Sequence, residues 1–235
     1  MTMPFQKYAP ITTVDLPDRA WPQATITRPP TWVSTDLRDG NQALERPMDV
    51  ARKRRFFRQL VAMGFRDIEV AFPSASQTDF DFVRWVVESG EAPDDCTLVV
   101  LTQCREHLIR RTFASLRGAR RAVVHFYNST NPVQRDVVFG MDRAGVRGIA
   151  EDAARLCLEL APTLDGTDLR FEYTPESFVL TELDFAVEVC DAVTASSRPG
   201  TPGRFRAGLA AVRARAATMA SLSLRNCASC ASFSG

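Results

Sequence analysis

The sequence predicts an α/β protein of the (β/α)8 TIM-barrel class, carrying about five βα units. Three observations predict it. Five short β-rich runs alternate with five stretches of helical period between residues 31 and 195, which implies a parallel sheet with helices packed on it. Polar residues gather at the C-terminal ends of those runs, where a barrel carries its active site. The first strand-to-helix turn, L-R-D-G-N-Q (37–42), holds one glycine, so it lacks the glycine-rich phosphate turn of a doubly wound sheet.

The runs are T-W-V-S-T-D (31–36), D-I-E-V-A-F (67–72), T-L-V-V-L-T-Q (97–103), R-A-V-V-H-F-Y (121–127) and D-L-R-F-E-Y (168–173). Each precedes one apolar stripe at i, i+3, i+4, i+7 spacing. Phe56, Phe57, Leu60 and Val61 mark the first stripe, and Phe80, Val83, Val86 and Val87 the second. Leu108, Ile109, Phe113 and Leu116 mark the third; Val146, Ile149, Ala153, Leu156, Cys157 and Leu160 the fourth. The last runs through Leu183, Ala186, Val187, Cys190 and Val193, with Thr181 as its predicted N-cap and Asp184 three residues on. Five units average about 33 residues, so eight would need about 264. The expectation is a barrel truncated after five units, with strands one and five left as open edges.

Composition bounds the rest. With 29 Lys+Arg, 28 Asp+Glu and 45% hydrophobic residues, the chain reads as an ordinary soluble protein. The balanced charge gives no argument for nucleic acid. No apolar run approaches the length of a membrane span, and residues 1–30 lack the apolar core of a secretory signal. Four of the six cysteines fall inside strand or helix patterns, which predicts reduced thiols in a cytoplasmic protein.

The charge is unevenly placed: residues 1–191 hold 23 basic and 28 acidic residues, and residues 192–235 hold six Arg and no acid. Ala, Ser, Arg and Gly supply 26 of the 40 residues from 196 to 235. This predicts either a disordered basic tail or a stretch read from a shifted frame of GC-rich DNA, since the chain uses 27 Arg and 2 Lys. The expected organisation is a lead segment (1–30), a partial barrel (31–195) and this tail (196–235). Cys227-Ala-Ser-Cys230 lacks a second pair and a nearby histidine, so it predicts no metal site.

Three places can carry chemistry. In S-T-D-L-R-D-G-N-Q (34–42), Arg38 beside Asp39 pairs a fixed cation with an oxygen ligand for a metal. That suits a reaction in which an enolate or alkoxide develops, as it suits a surface salt bridge at a strand end. His125 sits in an apolar strand and is either a core histidine or a substrate contact; His107, between charged neighbours, reads as surface. Alternation puts Glu172, Thr174 and Glu176 on one face if the strand continues past Pro175. Glu176 could take a proton from a carbon acid, whereas Glu172 reads as the structural partner of a barrel arginine.

These residues resemble the 2-isopropylmalate synthase family from about residue 3 to residue 193. The resemblance is carried by V-D-L-P-D-R-x-W-P (14–22), D-L-R-D-G-N-Q-A-L (36–44), I-E-V-A-F-P-S-A-S-Q-T-D-F-D-F-V-R (68–84), H-F-Y-N-S-T (125–130) and F-E-Y-T-P-E-S-F (171–178). D-L-R-D-G-x-Q is shared with homocitrate and citramalate synthases. The resemblance implies an acyltransferase of leucine biosynthesis that condenses acetyl-CoA with 3-methyl-2-oxobutanoate, as a homodimer. It implies a divalent metal (Mg²⁺, Mn²⁺ or Zn²⁺) on Asp39, and Arg38 stabilising the oxyanion. It places His125, Thr174 and Gln42 against the substrate, and gives Glu176 a role in binding or proton transfer. Thr174 stands where the family usually has Ser, and keeps the hydroxyl. The family's remaining metal ligands, two histidines in H-x-H, have no counterpart in the sequence, so the resemblance leaves this chain alone inactive.

Overall fold

The computed structural model describes residues 31–196. The lead segment and the tail, with Cys227 and Cys230, lie outside the described residues. Five strands form one sheet in the order β1 (Val33–Ser34), β2 (Asp67–Ala71), β3 (Thr97–Gln103), β4 (Arg121–Ser129) and β5 (Asp168–Glu176). All four pairings are parallel, as five consecutive units of a (β/α)8 barrel require.

Helices α1 (Val50–Ala62), α2 (Gln77–Glu88), α3 (Glu106–Ser115), α4 (Arg143–Leu160) and α5 (Leu183–Ala195) alternate with the strands, and each packs on the next. The sequence explains their limits. Asp49, Ser76 and Asp142 cap α1, α2 and α4 by accepting backbone N–H bonds from Arg52, Asp79 and Gly145. α1 ends where Gly64 turns left-handed (φ 97°) and the Phe65 N–H reaches back to the Leu60 carbonyl at 3.1 Å.

The core lies between sheet and helices. Ile68, Val70, Leu98, Val100, Ala122, Val124, Phe126, Leu169, Phe171 and Tyr173 are buried on that side, meeting Phe57, Phe82, Phe113, Val146 and Phe185 from the helices. The opposite face carries the period-2 partners Glu69, Leu101, His125, Tyr127 and Thr174. The four cysteines of the described residues are free, as expected of reduced thiols.

Three expectations need correction. The first run is a strand only at Val33–Ser34, because the chain winds at once into a π-helical turn over Asp36–Gly40. The N-cap of α5 is Glu182; Thr181 is buried instead, its hydroxyl bonded to that of Thr130 at 2.7 Å. The last run extends beyond its expected end at Tyr173: β5 continues in register through Pro175 to Glu176, so Glu172, Thr174 and Glu176 share one face.

Candidate functional site

The π-helical turn after β1 builds the first wall of the site. The N–H groups of Arg38, Asp39 and Gly40 all point at the Thr35 carbonyl, at 2.9–3.3 Å, and Leu37 anchors the turn in the core. Buried Asn41 accepts the Met48 N–H at 2.6 Å, holding the loop beyond it. This winding brings Arg38, Asp39 and Gln42 to the C-terminal end of the sheet. There they line a cavity of about 350 Å³ with Leu101, His125, Tyr127, Thr174 and Glu176. The six residues singled out from the sequence thus share one cavity.

Glu69 stands behind that wall and organises it. Its carboxylate is 3% exposed and accepts from Arg38 Nη2 at 2.7 Å. Its other oxygen lies 3.3 Å from His125 Nδ1. Burial alone would raise the Glu69 pKa, but the His125 and Arg38 hydrogen bonds and charges outweigh it and hold the carboxyl below the ordinary value. An ionised carboxylate only accepts, so the ring proton that faces it sits on His125 Nδ1. Nε2 then meets Thr174 Oγ1 at 2.6 Å. Arg38 Nη1 also reaches Asp39 at 2.8 Å, and Asp39 remains 67% exposed.

Glu176 closes the opposite side. Its Oε2 accepts from the Ser129 hydroxyl at 2.6 Å. Tyr127, edge-on to Phe72, offers a phenol whose pKa is raised by burial against a Gln103 hydrogen bond. Glu172 makes no ion pair among the described residues, against the expectation of a structural arginine partner. Its strand neighbour Arg170 bonds Thr97 instead. Arg38 pairs with Glu69 on β2, the strand next to the turn, three strands from Glu172 on β5. His107 is exposed, as expected.

Sequence reasoning counts Glu69 among the polar strand residues without giving it a role, and leaves Leu101, Tyr127 and Ser129 out of the site. The signal for Glu69 was present: it is the one acidic residue inside the apolar run I-E-V-A-F (68–72). Tyr127 and Ser129 follow His125 at i+2 and i+4, so strand alternation puts them on its face.

The family model described as HMGL-like matches residues 29–211. The chain belongs to the HMGL-like family. Within it, the chain is similar to 2-isopropylmalate synthases. One from Ralstonia nicotianae is 57% identical over 196 residues, covering 83% of this chain and 34% of the relative. One from a Parafrankia species is 60% identical, covering 81% and 34%. One from Bifidobacterium longum subsp. infantis is 55% identical, covering 84% and 31%. The chain spans about a third of the length of the curated relatives it matches. The HMGL-like match extends past residue 196, where composition breaks.

Among the described residues no group of three His, Cys, Asp or Glu side chains is placed to hold a metal ion. In the cavity Asp39 offers one carboxylate, and Arg38 already occupies one of its oxygens. These residues alone do not make up a divalent site. No helix among them is long and apolar enough to cross a membrane.

Proposed function

We propose that this site serves the reaction that the 2-isopropylmalate synthase resemblance implies: acetyl-CoA, 3-methyl-2-oxobutanoate and water giving 2-isopropylmalate and CoA. The observation that carries the reading is the convergence of Arg38, His125, Thr174 and Glu176 on one cavity at the strand ends. A condensation of this type needs a base for the acetyl methyl group, a cation for the oxygen that gains charge, and donors that orient the oxo acid.

Glu176 is the base. Ser129 engages one of its oxygens, and the other is available for a proton. Arg38, fixed by Glu69, faces the oxo-acid oxygen that becomes an alkoxide as the new C–C bond forms. The His125–Thr174 pair and Gln42 orient the oxo acid. Asp39 presents its exposed carboxylate to the same cavity. The homodimer that the resemblance implies and the cytoplasmic location that the cysteines predict belong to this same reading.

A second reading has its own observation. The sequence has two histidines and no H-x-H, and the described residues assemble no metal centre. On that reading the chain is non-catalytic. One experiment separates the two: CoA release by the purified chain, followed chromatographically with 3-methyl-2-oxobutanoate, pyruvate or 2-oxoglutarate and added Mg²⁺, Mn²⁺ or Zn²⁺. Metal-dependent release favouring 3-methyl-2-oxobutanoate supports the synthase. A preference for pyruvate or 2-oxoglutarate replaces it with a citramalate or homocitrate type. No release with any substrate, alongside a cooperative melt, supports the non-catalytic chain.

A further inference from the structure

The end of β5 is held by more contacts than a strand end needs. Ser129 and Glu176 are register partners across β4 and β5, and the Ser129 hydroxyl donates to Glu176 Oε2 at 2.6 Å. Ser129 is 7% exposed, whereas Glu176 faces the cavity. The backbone is held separately: the Thr130 N–H donates to the Glu176 carbonyl at 3.3 Å.

Thr130 is itself fixed. Its hydroxyl shares a bond with Thr181, and its carbonyl accepts from Arg135 Nη1 at 2.6 Å. Arg135 forks onto both oxygens of Glu182 at 2.7 and 2.8 Å. Directly after Glu176, Ser177 adopts φ 55° and ψ 40°. It is the one non-glycine residue with positive φ among the described residues. A left-handed serine is strained and persists where surrounding contacts over-determine it.

We propose that Ser129 is a positioning residue for Glu176. The turn at Ser177 makes Glu176 the last strand residue, and the Thr130 contacts fix its backbone. The buried hydroxyl of Ser129 then selects one carboxylate orientation, with Oε2 bound and Oε1 turned to the cavity. A charge-assisted bond of this length also keeps the carboxylate from rotating toward Arg38. The consequence for oxo-acid binding rests on the function proposed above; the orientation itself does not.

The test uses the full chain labelled with side-chain ¹³C-glutamate. The Glu176 carboxyl resonance is assigned by its loss in Glu176→Gln. It is expected to move in Ser129→Ala, return in Ser129→Thr, and leave the other glutamate carboxyls in place. Ser129→Cys, close to serine in volume and lacking the O–H donor, gives the same shift and covers the case in which the alanine variant folds poorly. A Glu176 resonance that stays put in both Ala and Cys variants overturns the proposal. A second arm titrates 3-methyl-2-oxobutanoate, with binding expected to weaken on the order of tenfold in Ser129→Ala and recover in Ser129→Thr. Equal binding by parent and Ser129→Ala also overturns it. If the parent binds no oxo acid, the proposed function fails, and the carboxyl resonance alone decides the role of Ser129.

Discussion

Replacing Glu69 by Gln tests the organisation of the site without changing its shape. Glu69 presents two acceptor oxygens to two donors, Arg38 Nη2 and His125 Nδ1. A glutamine offers one acceptor and one NH₂, so if Arg38 keeps the acceptor, His125 keeps its bond only by moving its proton to Nε2, which reverses its bond to Thr174. The guanidinium also loses a buried counter-charge. Breaking a buried ion pair by removing one partner costs about 3–5 kcal/mol. Arg38 keeps Asp39 as a second partner and is 16% exposed, which lowers the expected loss to about 2–3 kcal/mol.

For a folded region of this size the melting temperature then falls by about 4–12 °C at pH 7, read by circular dichroism or calorimetry. Removing both partners, in Arg38→Met with Glu69→Met, leaves only the exposed Asp39 unpaired and no buried member of this ion pair uncompensated, and is expected to restore most of the loss. The pH dependence has a definite sign. The Glu69 pKa is lowered in the fold. Its contribution is therefore complete above the ordinary carboxylate range and fades as the pH falls through the lowered value. Glu69→Gln should flatten that acid limb. A variant melting within about 1 °C of the parent, or a double variant less stable than either single one, refutes the view of Glu69 as the buried anchor of Arg38 and His125.

Three further outcomes follow from contacts outside the cavity. Lys53, 1% exposed, pairs with Asp79, 19% exposed. Asp79→Asn strands the deeper charge and should cost about 3 kcal/mol, more than Lys53→Met, with the double variant closer to the parent than additivity allows; chemical denaturation measures all three. Arg135 holds the Glu182 carboxyl at about 2, so its stabilising contribution is complete above the ordinary carboxylate pKa near 4.5 and is lost as the pH falls toward about 2. Glu182→Gln should remove that part of the acid-induced drop in melting temperature, and an unchanged acid limb would show that Arg135 does not set it. Burial pushes the Cys157 thiol up, so alkylation of Cys157, followed by mass spectrometry, should proceed only through unfolding, and labelling at the rate of an exposed thiol in native buffer would contradict the placement of α4.

The sequence carried the fold because each element states its own period. T-L-V-V-L-T-Q has one continuous apolar run, and β3 occupies it from Thr97 to Gln103; the stripe from Val146 to Leu160 has one period, and α4 follows it. Where reading failed, a local preference met a competing contact. Thr181 has the right chemistry for an N-cap, but Thr130 from the end of β4 claims its hydroxyl, a partner 51 residues away that no local pattern announces. T-W-V-S-T-D has strand propensity through Asp36, but Leu37 must reach the core and the chain winds to deliver it.

The same distinction governs the site. Arg38, Asp39, Thr174 and Glu176 stand at or near strand ends, where the barrel pattern marks them, and His125 is marked as a histidine within an apolar strand. Glu69 is mid-strand, and its role depends on which cation the first turn turns toward it. Glu172 shows the converse: from sequence it has the better claim to an arginine, yet Glu69 receives Arg38 because the π-helical turn projects from β1 onto its neighbour β2. Register therefore decides between two carboxylates that composition treats alike. It makes Glu69 the residue on which the positions of both Arg38 and His125 depend.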